Sequence, residues 1–186
     1  MEFSIISDNY YFLYGVSELI KREFGFRTKV SISFMSEKNS EIVFFKLKHS
    51  NPRYVIICLA NNNCLKSLLK NLKKTEAEIF LMTNKNVFSR GDACSSKYSV
   101  FILPSTLNNH DFIKHIKNSE RVNKITPCKN DIYIIKKLSE GVSVGELSIN
   151  LGLSPKTICN LRDKVMQQAG GLAGIHGLLL LRNIFG

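Results

Sequence analysis

Polar side chains able to form hydrogen bonds recur along one short segment near the carboxyl end of the chain, residues 143–158. Ser143 is followed three residues later by Glu146, which predicts a capped helix, and Gly152 predicts a left-handed turn. Ser154, followed by proline, predicts the start of another helix. Two helices joined by a tight turn can present side chains to the edges of DNA bases, so the segment predicts a helix-turn-helix.

Two helices are predicted before the turn. Thr126, followed by proline, predicts the start of the first helix, which ends near Gly141. The apolar face of this helix is predicted to consist of Ile132, Ile135 and Leu138. The second helix, after Ser143, is predicted to make its apolar contacts through Leu147, Ile149 and Leu151.

The third helix, which begins after Ser154, carries the side chains that could bind bases and phosphates. Spacings of three and four residues predict a core-facing stripe of Ile158, Leu161, Val165 and Ala169. The outer face is then left to Lys156, Thr157, Cys159, Asn160, Asp163, Lys164 and Gln167.

Side chains near the start of such a helix reach deepest into the major groove, so the candidates for base contacts are Cys159, Asn160 and Asp163. Asn160 can form two hydrogen bonds with an adenine. The candidates for phosphate contacts are Lys156, Thr157 and Lys164, and Ser154 completes the predicted DNA-binding set. Asp163 is unfavourable beside a polyanion, so it is predicted to accept from a cytosine amine or to pair with Lys164 or Lys156.

The last third of the chain resembles the helix-turn-helix of LuxR/FixJ (GerE-type) bacterial transcription regulators. The matching segments are Ile125-Thr-Pro, Glu140-Gly141, Glu146-Leu-Ser and Leu153-Ser-Pro-Lys-Thr-Ile158. The sequence departs from the family pattern at Lys129 or Asn130, usually acidic, at Leu161, usually histidine, and at Gln168-Ala169, usually Lys-Leu. From spacing alone a helix pair within a helical bundle is an equally good interpretation, and the resemblance favours DNA binding.

The resemblance also implies a fourth helix that pairs two such domains on a twofold DNA site. Residues 174–182 take that place, and the dimerisation residues expected there are Ile175, Leu178, Leu179 and Arg182. A second copy would then explain a short run of leucines that looks exposed in the sequence. The run is also consistent with an interface or core helix.

Short apolar runs alternate with amphipathic segments over the first 117 residues. Strands are predicted over 3–6, 30–34, 54–60, 79–82 and 100–103, and helices over 10–24, 64–72 and 110–116. A further helix is allowed between the last two strands, and 36–48 could form a helix or an extra strand. The alternation predicts a doubly wound, parallel five-stranded sheet, followed by an all-α four-helix region. The expected domains are 1–117 and 125–186, joined by a linker over 118–124.

The β-α alternation before this helix-turn-helix resembles a response-regulator receiver domain. Phosphotransfer in such a domain needs an acidic pair, an acceptor aspartate, a Thr or Ser and a lysine. Here Asp8 offers one carboxylate and Thr83 matches in place, whereas Cys58 ends the third strand and Leu103 stands at the lysine position. The resemblance therefore implies a degenerate receiver that is not phosphorylated, as in accessory regulators of the RcsA and GadE type.

Composition limits the classes of partner and chemistry. Lys and Arg number 26 against 15 Asp and Glu, a net charge of +11, which favours a nucleic acid or an anionic membrane surface. The five cysteines form no C-x-x-C pair, so a reducing cytosol is expected and no disulfide or zinc site is predicted. No run of about 18 apolar residues predicts a membrane span. No nucleotide-binding or hydrolase motif is present, so neither an enzyme nor a cofactor is predicted.

Three side chains that could do other chemistry are interpreted more simply. His110 and His115 lie off a common helical face and are expected at the surface, not on a metal. Cys58 is expected to be a small core residue. Whether Cys159 is redox-active stays open.

The sequence thus predicts a cytoplasmic, nucleoid-associated regulator that binds promoter DNA without control by phosphorylation. It is expected to act as a homodimer, or as a heterodimer with a related regulator, and to recruit or block RNA polymerase. The alternative is an accessory interaction protein that acts mainly by heterodimerising with another LuxR/FixJ-type regulator.

Overall fold

The computed structural model describes residues 1–72, 75–83, 100–119 and 128–185. The first part, here called the sheet region, contains β1 (Glu2–Ser7), α1 (Tyr10–Phe24), β2 (Lys29–Phe34), α2 (Ser40–Ser50), β3 (Tyr54–Cys58), α3 (Asn62–Leu72), β4 (Glu78–Thr83), β5 (Val100–Pro104) and α4 (Asn109–Asn118). The second part, the helical region, contains α5 (Lys129–Ser139), α6 (Val144–Leu151), α7 (Pro155–Gln168) and α8 (Gly174–Phe185).

The five strands form one parallel sheet in the order β2-β1-β3-β4-β5. Each neighbouring pair is parallel, and on β1 Ile5 lies between Ile32 of β2 and Ile56 of β3. The middle strand, β3, is apolar along its whole length because both of its faces are covered, as is usual in doubly wound sheets. The predicted fold class is confirmed.

Helices cover both faces of the sheet. Because successive strand residues point to opposite faces, Phe3 and Ile5 of β1 join the buried cluster formed with α1 and α4, while Ile6 joins the cluster formed with α2 and α3. The strands predicted at 3–6, 30–34, 54–60, 79–82 and 100–103 are present within a few residues of those bounds. The same holds for the helices predicted at 10–24, 64–72 and 110–116.

The segment whose structure the sequence left open is a helix. After a short 3-10 turn, α2 buries Val43 and Leu47, four residues apart, and exposes Ile42 and Phe45. The helix therefore packs on the sheet through a single apolar stripe, and Ile42 and Phe45 lie outside that stripe. The helix allowed between β4 and β5 falls outside the described residues, as does most of the linker expected over 118–124, whose first residue ends α4.

Two details of the helical region differ from the predictions. The amino-terminal cap of α5 is Cys128, not Thr126, because Cys128 Sγ accepts from Asp131 N at 3.4 Å and Asp131 Oδ2 accepts from Cys128 N. Ile149 is 82% exposed and lies outside the buried cluster to which Leu147 belongs. It lies two positions from Leu147, fully buried, and a two-residue step on a helix reaches the opposite side.

Helix α8 joins the two regions. Its Leu180, Leu181 and Ile184 belong to the same buried cluster as Leu65 and Leu68 of α3, and α8 packs against both α3 and α5. No helix in the described ranges is long and apolar enough to cross a membrane.

Candidate nucleic-acid interface

The turn before α7 fixes the direction of that helix. Gly152 has φ +62°, a conformation that strains side-chain-bearing residues, and it ends α6. Ser154 Oγ then accepts from Thr157 N at 3.1 Å and lies 2.8 Å from Thr157 Oγ1. The predicted capping of α7 by Ser154, with proline at the next position, is therefore present.

Before α6, only half of the predicted capping box forms. Ser143 Oγ accepts from Glu146 N at 3.1 Å. The reciprocal bond, from the Ser143 backbone to the Glu146 carboxylate, is absent from the hydrogen bonds of this described segment.

Helix α7 has one buried and one open side. Ile158, Val165 and Ala169 are at most 1% exposed, and Leu161 is half-buried. Met166, which the apolar spacing did not single out, is buried as well. Of the residues predicted on the outer side, Lys156, Asn160, Asp163, Lys164 and Gln167 are exposed, and Thr157 and Cys159 are half-buried.

Asp163 forms an ion pair with Arg162, a partner that the sequence does not indicate. Its Oδ1 lies 2.7 Å from Nε of Arg162, and this hydrogen bond raises the pKa of the Arg162 guanidinium. The partner is neither Lys164 nor Lys156. The spacing of apolar residues does not single out Arg162, because this residue lies between the core-facing and outer stripes of α7.

The four residues expected to dimerise on α8 do not share one surface. Ile175 is 51% and Leu179 39% exposed, whereas Leu178 is 8% exposed and belongs to the buried cluster. Arg182 Nη2 lies 3.8 Å from Glu140 Oε1 of the same chain. The leucines at positions 178–181 are therefore mostly core residues, and Leu179 is the exception.

The carboxyl edge of the sheet holds the side chains compared above with phosphotransfer residues. Asp8 Oδ2 accepts from Ala60 N at 2.8 Å and from Asn61 N at 3.3 Å, so this carboxylate fixes the loop after β3. Cys58 is half-buried, and its burial together with Asp8 raises the pKa of its thiol. Leu103 is buried.

The two histidines expected at the surface differ in burial, because His115 is half-buried. His110 is 88% exposed at its side chain and lies beside Asp111, while burial lowers the pKa of His115. Across the part of the chain that the structure describes, no three His, Cys, Asp or Glu side chains gather closely enough to hold a metal ion.

Comparison with solved structures identifies proteins of similar architecture. RcsB from Salmonella enterica serovar Typhimurium, bound to promoter DNA in the presence of the phosphomimetic BeF3-, is 18% identical with a TM-score of 0.50, over 99% of this chain and 98% of RcsB. Another RcsB structure, from Salmonella typhimurium, is 16% identical with a TM-score of 0.47, over 97% and 98% of the two chains. No protein-family model and no curated protein matches the sequence. The 18% identical structure supports the arrangement of a receiver-like sheet followed by a helical region.

Proposed function

We propose that this protein is a bacterial transcriptional regulator of the LuxR/FixJ type, which reads promoter DNA with α7. The observation that carries the proposal is the division of α7 into a buried side, with Ile158 and Val165, and an open side, with Asn160 and Lys164. Other surface helices also have a polar side, and in α7 that side follows the Gly152 turn and the Ser154 cap of a helix-turn-helix. The similar architecture of RcsB, whose structure includes promoter DNA, adds support.

The exposed residues divide into two roles. Asn160 contacts bases, since its amide can satisfy both edge groups of an adenine. Lys156 and Lys164 contact phosphates, assisted by Thr157 and Ser154, and their contribution falls as salt rises. Cys159 lies at the edge of the same face.

Asp163 sets a condition on this mode of binding. Its pairing with Arg162 at 2.7 Å neutralises a carboxylate that would otherwise repel DNA. The pair also positions Arg162 beside the reading face. To accept a hydrogen bond from a cytosine amine, the Asp163 carboxylate has to keep only part of its contact with Arg162 or break that contact.

Regulation in this proposal does not use phosphorylation of the sheet region. Cys58 occupies the end of β3, Leu103 is buried near the end of β5, and Asp8 already accepts two backbone hydrogen bonds. No acceptor carboxylate stands at the end of β3.

Dimerisation in this proposal uses the exposed part of α8, Ile175 and Leu179, in a cytoplasmic protein. The partner is a second copy or a related regulator, and the promoter complex then recruits or blocks RNA polymerase. An accessory role, in which the chain acts mainly through a heterodimer, is the second candidate. The observation that favours it is Asp163, an acidic group on the reading face, 58% exposed at its side chain.

Selection of bound duplexes from a random DNA library tests the proposal. Purified protein is compared with the Asn160→Ala/Lys164→Ala double variant and with Lys70→Ala/Asn71→Ala, a control that removes the same residue types from α3. We expect a roughly twofold-symmetric motif with the unchanged chain and the control, lost in the α7 variant. Binding without any motif would contradict self-sufficient reading and favour the accessory role.

A further inference from the structure

A cleft of about 370 Å³ lies between α8 and the carboxyl edge of the sheet. One wall is the start of α3 with the end of β4, and the other is α8. Its apolar lining includes Leu59, Met82 and Leu180. The cleft lies at the carboxyl ends of β3 and β4, on the same edge of the sheet as the β1–β3 switch point where open α/β sheets bind ligands.

The charged side chains that line the cleft are cationic. Lys66 comes from α3 and Arg182 from α8, and no carboxylate is among the described lining residues. Arg182 is held only loosely, 3.8 Å from Glu140, and Lys66 forms no ion pair with the residues whose positions are described. The cleft therefore favours negative charge from both walls.

Uncharged hydrogen-bonding groups belong to the same lining, as does the imidazole of His176. Asn62, Asn63 and Asn183 contribute side-chain amides, and Thr83 contributes a hydroxyl. None of these four side chains makes a hydrogen bond within the described segments. An oxyanion placed between Lys66 and Arg182 would have further donors within the same cleft, while an apolar tail could lie on Met82 and Leu180.

We propose that this cleft binds a small organic anion, a phosphate ester or carboxylate with a short apolar tail. The anion would bridge Lys66 and Arg182 and so hold the helical region against the sheet region. Leu179 lines the cleft as well, so a bound anion also limits access to one of the two exposed apolar residues of α8. Binding of the anion does not depend on the proposed reading of DNA.

Titration calorimetry of the full chain tests this inference with defined probes. Hexyl phosphate and hexanoate distinguish a phosphate ester from a carboxylate, hexanol lacks the charge, and inorganic phosphate lacks the tail. We expect at least one of the two hexyl anions to bind more tightly than hexanol and than inorganic phosphate. Lys66→Gln should weaken that binding by about tenfold, since it removes one charged hydrogen-bond donor.

Lys70→Gln, on the same helix but outside the cleft, is the matched control and should leave the affinity unchanged. Thermal unfolding of the free Lys66→Gln variant confirms that the fold is intact. Equal binding of hexanol, no binding of either anion, or equal losses in Lys66→Gln and Lys70→Gln would overturn the proposal. DNA selection on the same preparations reports separately on the proposed function.

Discussion

Helices α7 and α8 are neighbours in the helical region, yet they use their apolar residues differently. In α7 the core side and the open side separate as the spacing predicts, with Val165 buried and Asn160 exposed. In α8, Leu181 is fully buried inside the chain although the family resemblance implies a helix that faces a second copy. The spacing of apolar residues thus predicts which of them share one face of a helix. Whether the same chain or a second copy covers that face depends on the tertiary structure.

The largest effect that tests this difference is the loss of the Leu181 side chain. Leu181→Ala should destabilise the protein by about 2–5 kcal/mol, because it leaves a cavity between α8 and the rest of the core. Urea unfolding measures the change. Leu179→Ala is the control on the same helix, and its smaller side-chain burial predicts a change of less than about 1 kcal/mol. Equal losses would contradict the burial of α8.

A second test enlarges a residue of α8 at its contact with α7 and with the segment that follows α7. A Cβ on Gly177 would lie 3.0 Å from Met166 Cε and 3.1 Å from Leu172 Cβ. Gly177→Val should therefore destabilise the fold by about 1–3 kcal/mol through overpacking. Gly145→Val, with no atom within 4 Å of the added Cβ, is the control. A neutral Gly177→Val would show that α8 stands farther from its neighbours.

Loss of the α7 cap should have a smaller effect. Ser154→Ala removes the acceptor for Thr157 N and should cost about 1 kcal/mol. Thermal unfolding measures this, and Ser154→Asp, which keeps an acceptor, should recover most of the stability. If both variants unfold at the same temperature, the cap does not stabilise α7.

The smallest expected change in stability concerns the exposed pair of Arg162 and Asp163. Asp163→Asn should alter the free energy of unfolding by less than about 1 kcal/mol, as for other exposed ion pairs. Its affinity for random-sequence DNA should rise, because one negative charge leaves the reading face. Anisotropy titration at constant salt tests this. A fall in random-sequence affinity would mean that Asp163 positions Arg162 for phosphate contact.

The sheet could be predicted because runs such as residues 54–58 are apolar on both faces and are separated by amphipathic helices. The cap of α5 could not, because Cys128 is an uncommon cap and Thr126 with its proline gives a stronger local signal. The prediction for Ile149 is wrong because it rests on the apolar type of the residue, although the offset of two positions from Leu147 already indicates the opposite face. The role of Arg162 could not be predicted, because it depends on the contact with Asp163 that the tertiary structure shows.

The measurement that tests the central claim most directly is the salt dependence of binding to two duplexes. One carries the motif selected from the random library, and the other differs from it by the replacement of one adenine–thymine pair. We expect Lys164→Ala to weaken both duplexes similarly and to lower the slope of log affinity against log salt by about one. Asn160→Ala should leave the slope unchanged and remove the preference between the duplexes. If both variants bind and discriminate as the unchanged chain does, α7 does not read DNA.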